Sequence, residues 1–186
     1  MYQPDKLATN NYLTKFSSLM RKVLDNSQHT SVPLSDELSA LNLYLELESI
    51  RFKDKFEYTI TVDDEIDPLM HKVPRMLIQP YVENAILHGI NHRKDKGKLI
   101  ITFALNDNYI ICNIEDNGVG REKAAEIEKT SGLTHKPRGM MIIKERIDLI
   151  NRQNSEKINV KIIDLKNNDG VSLGTKIEII LPLKDI

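Results

Sequence analysis

Apolar residues recur at helical spacing through the first quarter of the chain. Leu7, Leu13, Phe16, Leu19, Met20, Val23 and Leu24 form a stripe near the 3.6-residue period, which predicts a helix from Lys6 to Asn26. Asp25 to Pro33 holds Asn26, Ser27, Thr30, Ser31 and Pro33 and reads as a loop. Ser35 is the candidate N-cap of the next helix. Asp36 and Glu37 follow in its first turn, where the helix dipole favours negative charge. That helix runs to about Phe52 with leucines on two lines: Leu38, Leu41 and Leu45 on one, Leu43, Leu47 and Ile50 on the other. Two lines imply partners on more than one side. Two helices joined by a short loop form an antiparallel hairpin, which can also pair with a second copy as a bundle.

The period then changes. Phe56, Tyr58, Ile60 and Val62 alternate, a strand with one wet face, and Asp63 to Pro68 makes an acidic turn. Pro74 pre-sets the start of a helix through Met76 to Asn91, whose Leu77, Ile78, Tyr81, Val82, Ala85 and Ile86 recur at three and four. His92 to Gly97 is a charged loop. Lys98–Leu105 and Tyr109–Ile114 form a hairpin about Asn106 to Asn108. An excursion follows from Asn117 to Thr134, with a short helix predicted over Arg121 to Lys129. The polar Thr130 to Pro137 stretch, broken by Gly132 and Pro137, suits a lid beside a pocket. Gly139 opens a helix over Met140 to Asn151. Strands Ile158–Leu165 and Gly174–Leu181 flank a turn at Asn167 to Gly170. The last two strand pairs are hairpins, so an all-parallel sheet is excluded. The class is α/β: a two-layer sandwich with helices on one face of a mixed sheet, residues 55–186, preceded by the α-helical hairpin, residues 1–54.

Composition narrows the picture. With 186 residues and a net charge of −1, the chain makes one ordinary domain plus an appendage, with no electrostatic push toward nucleic acid or lipid. The lone cysteine, Cys112, excludes a disulfide within the chain and favours a reducing compartment. No signal peptide or 18-residue apolar run is present. A charged, helical-looking stretch follows Met1 with no clear beginning, so a piece of a longer protein is expected.

Two stretches carry candidate chemistry. Asp116 ends an apolar strand and precedes Gly118 and Gly120. A buried carboxylate there needs donors, and an adenine amino group is one; the same residues also serve a plain Asp-Asn-Gly turn. Asn84, His88 and Asn91 share one face of the preceding helix. The Asn84 amide oxygen is a hard ligand suited to magnesium, or else bonds a neighbouring backbone group. Glu83 points differently and could polarise a hydroxyl or imidazole. His88 could donate to phosphate or simply favour the helix end. Arg138 to Met140 offers a glycine at a helix start, and Thr175 a hydroxyl at a strand start. The phosphate motifs GxxxxGK[ST] and GxGxxG are absent, the five histidines lack zinc spacing, and no nucleophile elbow occurs.

Together these segments resemble the cytoplasmic end of sensor histidine kinases of the LytS/YehU-like branch, whose ATPase domain belongs with gyrase and the mismatch-repair ATPases. VPLSDELSALNLYLELESIRF is similar to the linker helix and MLIQPYVENAILHGI to the asparagine box. IEDNGVG resembles the acidic glycine box, RGMMIIKERIDLI the second glycine box and its helix, and LGTKIEIILPL the closing strand. The resemblance covers residues 32–183 and implies a Bergerat-type ATP site. Asn84 would hold magnesium, Glu83 assist phosphoryl transfer, and Asp116 accept from the adenine amine. Gly118, Gly120 and Gly139 would line the base and phosphates, Thr175 would sit near the adenine-side water network, and His88 near phosphate. ATP, a response regulator and a second copy, paired through the hairpin, are the implied partners. The implied location is the cytoplasmic part of an inner-membrane protein, without direct membrane contact by these residues.

Two departures accompany the resemblance. The family presents its accepting histidine in an asparagine- and phenylalanine-rich segment, and none precedes Leu7. The second glycine box, KPRGM, has one glycine where relatives often carry more. The alternatives are a nucleotide-gated ATPase or switch, and a degenerate, non-enzymatic dimerisation module.

Overall fold

The computed structural model describes residues 6–26, 29–131 and 138–183. The Gly132 and Pro137 breakers, His135, Ser27 and the side chain of Leu7 lie outside the described residues. Helices α1 (Lys6–Asn26) and α2 (Leu34–Arg51) form the expected hairpin. Leu19 of α1 packs on Ala40 and Leu47 of α2. The other leucine line of α2, with Leu41 and Leu45, enters the main core. The two-sided pattern is thus satisfied by α1 on one side and the sheet domain on the other. Leu13, Phe16 and Met20 of α1 stay exposed at 54%, 46% and 40%.

Ser35 does not cap α2. Pro33 holds the cap position without a side-chain bond, and the first amides are satisfied by backbone: Leu34 N–H donates to His71 O at 2.8 Å and Ser35 N–H to Pro68 O at 2.8 Å. The loop before α2 contains β1 (Ser31–Pro33), paired antiparallel with β3 (Lys72–Pro74). Pro74 therefore ends a strand rather than opening a helix.

Strand β2 (Phe56–Val62) stands at the sheet edge. Beside it, in spatial order, lie β4 (Gly97–Asn106), β5 (Tyr109–Asp116), β7 (Ser172–Pro182) and β6 (Asn159–Lys166). Only the β2–β4 pair is parallel. Alternate residues bury one face: Leu99, Ile101 and Phe103, then Ile110, Cys112 and Ile114, then Ile177, Ile179 and Leu181. Each such aliphatic contributes about 1.5–3 kcal/mol by leaving water. α5 (Arg138–Gln153) joins this core through Ile143 and Ile147. α4 (Arg121–Ser131) fills the excursion after β5.

The predicted Met76–Asn91 helix is three pieces. Met76 to Ile78 form a turn, with Met76 at φ 49°. α3 covers only Gln79–Asn84, with Pro80 in its first turn. A π-helical turn follows over Ala85–Gly89 and a 3-10 turn over Ile90–His92. The apolar spacing tolerates this because Tyr81, Val82, Ala85, Ile86 and Ile90 all remain buried.

Candidate functional site

The end of β5 is drawn against the π turn by backbone contact. Gly118 and Gly89 approach so closely that a Cβ on Gly118 would lie 2.5 Å from Gly89 Cα. Val119 N–H donates to Gly89 O at 3.2 Å across this contact. On the other side β7 crosses just as closely: Gly174 takes φ 137°, and a Cβ there would meet Asp116 O at 1.8 Å. Only glycine meets both the space and the conformation. Gly89 and Gly174 were not singled out from sequence. A helix-interior glycine, costing about 1 kcal/mol against alanine, was the available signal for Gly89.

Asp116 sits at the centre of this junction, 4% exposed. Its Oδ1 accepts from Gly118 N–H at 2.7 Å. Burial pushes its carboxyl up to about 6, against the pull of the Gly118 and Thr175 amides. Thr175 lies opposite Asp116 in the β5–β7 register and is buried.

A cavity of 380 Å³ opens from this carboxylate. Ala85, Ala124, Ala125, Met140, Ile162 and Ile177 give it apolar walls, and Asp116, Thr175 and Gly120 line it at the sheet end. Asn84, His88 and Glu128 line it as well. The cavity lies between the Asn84 segment and α4, and α4 is fastened to β6: the Arg121 guanidinium grips Asp164 at 2.7 and 2.6 Å, holding that carboxyl below the usual range. His88 Nδ1 meets Glu128 Oε1 at 2.5 Å, so the π turn and α4 are bridged across the cavity.

The structure brings Asn84, His88, Asp116, Gly120 and Thr175 around one space. Gly118 stands behind Asp116 rather than in the wall. Gly139 is exposed in the first turn of α5, with no atom of the described residues within 4 Å of an added Cβ; its neighbour Met140 forms the wall. Glu83 is exposed and faces α2: burial first, then Glu48 and Glu83, raise the Tyr44 phenol above its ordinary value. Asn91 is outside the wall, and its carbonyl accepts from Lys55 Nζ at 2.5 Å. The wall residues from α4 and β6 escaped the sequence reading because only the fold brings them there. A largely apolar cavity lined by one buried carboxylate, an amide and an imidazole suits an adenine nucleotide. Among the described residues, no three His, Cys, Asp or Glu side chains cluster as a metal site. A magnesium ion carried on phosphates needs less from the protein, and one hard amide oxygen, Asn84, is what the wall offers.

Known histidine kinases are similar to this chain in sequence or in fold. A family model described as histidine kinase matches residues 1–56. The sensor protein LytS of Oceanobacillus iheyensis is 38% identical over 111 residues, which is 60% of this chain and 19% of that protein. The sensor histidine kinase BtsS of Escherichia coli is 34% identical over 86 residues, 46% of this chain and 15% of that one. The chain therefore spans about a fifth or less of these relatives' length. The histidine kinase domain of the Erythrobacter litoralis blue-light activated histidine kinase shares the fold, with a TM-score of 0.57 at 13% identity, over 92% of this chain and 75% of that one.

Proposed function

We propose that the chain is part of a LytS-like sensor histidine kinase, and that its residues 55–186 bind ATP and donate its γ-phosphoryl group to a histidine, from which it passes to a response-regulator aspartate. The observation that carries this reading is Asp116, 4% exposed in the wall of a 380 Å³ cavity that Asn84 and His88 also line. The carboxylate accepts from the adenine amine, and the aliphatic walls take the faces of the base. Asn84 would hold the magnesium that accompanies ATP, and the chemistry such an ion would supply there is charge neutralisation on the phosphates. His88 donates to a phosphate oxygen in place of its bond to Glu128. In the transfer, an imidazole nitrogen bonds to the γ-phosphorus as the bond to the bridging oxygen breaks, and ADP leaves. Glu83, exposed on the side facing α2, takes the imidazole proton.

The accepting histidine is not one of the five in this sequence. Among the described residues, none lies on α1 or α2: His29 is in the loop between them, His71 in the loop before β3, His88 in the cavity wall and His92 in the 3-10 turn. The exposed Leu13, Phe16 and Met20 of α1 are the face that a second copy covers in a dimer. The protein acts as the cytoplasmic part of a membrane sensor. No described helix is long and apolar enough to cross a membrane.

Incubation with γ-labelled ATP tests the reading. These 186 residues bind ATP and stay unlabelled, whereas the full-length protein gains an acid-labile, base-stable label on a histidine. Stoichiometric label on His29, His71, His88, His92 or His135 would overturn the placement of the acceptor. ATP binding without any label in the full-length protein would favour a nucleotide-gated switch.

A further inference from the structure

Glu37 is a carboxylate with an unusual position. It lies in the first turn of α2, where an acidic residue ordinarily faces water, yet it is 3% exposed. It does not serve its own helix. Its Oε2 accepts from Met76 N–H at 2.9 Å and its Oε1 from Ile78 N–H at 3.3 Å, and the Leu77 amide also acts on it. Glu37 therefore holds the turn that opens the Asn84 segment, from a different helix. That turn is not a relaxed one, since Met76 has φ 49°.

A second charged residue braces the same place. Arg146 of α5 donates through Nη1 to Arg75 O at 2.5 Å and through Nη2 to Thr30 O at 3.4 Å. Its charge also acts on Glu37. The backbone before Met76 is thus tied to the loop of the helical hairpin and to the helix whose Met140 walls the cavity. The β1–β3 ribbon joins the same two segments.

The two ends of the Asn84 segment are consequently fixed in different ways. Its far end is seated on the sheet by the Gly89–Gly118 contact. Its near end is held by Glu37 and Arg146, and Glu37 belongs to the helical hairpin. Release of the near end lets Asn84 move about the Gly89 anchor while Asp116, on β5, stays in place. We propose that Glu37 is a positioning residue for the phosphate side of the site, setting where Asn84 stands according to the position of α2. This deepens the nucleotide-site reading above and rests on it.

Calorimetry on the 186-residue chain, with AMPPNP plus magnesium and separately with adenosine, tests this. Glu37→Gln keeps the side-chain length but turns an amide N–H toward a backbone N–H. The expected result is about a tenfold loss of magnesium–AMPPNP affinity, with adenosine affinity kept within about twofold. Faster hydrogen exchange at the Met76 and Ile78 amides accompanies it. Equal losses for both ligands would mark a general structural role and overturn the proposal, as would parent-like binding of both. If Glu37→Gln lacks a cooperative thermal transition, Arg146→Lys makes the same test. Lysine is shorter and carries its donors on one atom, which weakens two bonds now made by separate guanidinium nitrogens, so the same split is expected at about three- to fivefold, and no split overturns the proposal. Should the parent bind neither ligand, the nucleotide-site reading itself falls, and this inference with it.

Discussion

The two sides of the cavity are built by different means. Around Asp116 the protein is backbone against backbone: Gly118 on Gly89, and Gly174 on the Asp116 carbonyl, with no room for one added carbon. Around His88 it is side chain against side chain, a half-exposed imidazole meeting a half-exposed glutamate. The first side is over-determined, and its geometry does not depend on a ligand. The second is held by the contact of His88 Nδ1 with Glu128 Oε1, and such half-exposed polar pairs are worth about 0–1 kcal/mol. In the proposed nucleotide site, the side that would take the base is thus preformed, and the side that would take the phosphates is adjustable.

Substitutions should expose this contrast, starting on the rigid side. Gly174→Ala forces a side chain into φ 137° and onto Asp116 O, so a loss above about 3 kcal/mol is expected in urea unfolding. A loss under about 1 kcal/mol would show that the junction gives way. Asp116→Asn should cost about 1–3 kcal/mol in ATP affinity, since one buried polar pairing is broken.

The same substitution should stabilise the unliganded protein. Asp116 has a folded value of about 6 against an ordinary 3.8. A raised carboxyl favours the fold when protonated, and that contribution is lost as pH climbs through about 6. The Asn variant should therefore outlast the parent in thermal melts near pH 7, by up to about 3 kcal/mol, and the gap should close toward pH 4. A gap that widens toward pH 4 would contradict the assignment.

On the adjustable side the effects shrink. Asn84→Ala should lower magnesium–ATP affinity about tenfold and leave adenosine nearly unchanged, read by calorimetry with and without magnesium. Glu128→Gln should change melting by less than about 1 kcal/mol, because both partners are over a third exposed. Gly139→Ala should be neutral or stabilising by up to about 1 kcal/mol, since an added Cβ meets none of the described residues and alanine is the better helix former.

The same division decides how much could be read from sequence. Strand alternation placed β2 at its observed residues, and the two hairpins gave the mixed sheet, because those signals are local and periodic. The β1–β3 ribbon was illegible: three residues a side carry no period, and the pairing joins segments about 40 apart. The π turn was hidden because the apolar residues stay buried despite the extra width. Glu37 read as a dipole-favoured acid, since nothing local shows that another segment's amides lie within its reach. The Asp116–Gly118–Gly120 run and the Asn84 helix were legible as chemistry. That Gly139 would stand clear of the cavity, and that Ala124 and Ile162 would wall it, was decided by tertiary packing.

The central claim is that a preformed carboxylate reads the base. Calorimetric titration of the 186-residue chain with ATP and then GTP, both with magnesium, measures it directly. Guanine presents a carbonyl oxygen where adenine presents the amine that Asp116 accepts. ATP should bind at least about tenfold more tightly than GTP, the difference set by one unpaired buried acceptor. Equal affinities for the two nucleotides would contradict the account.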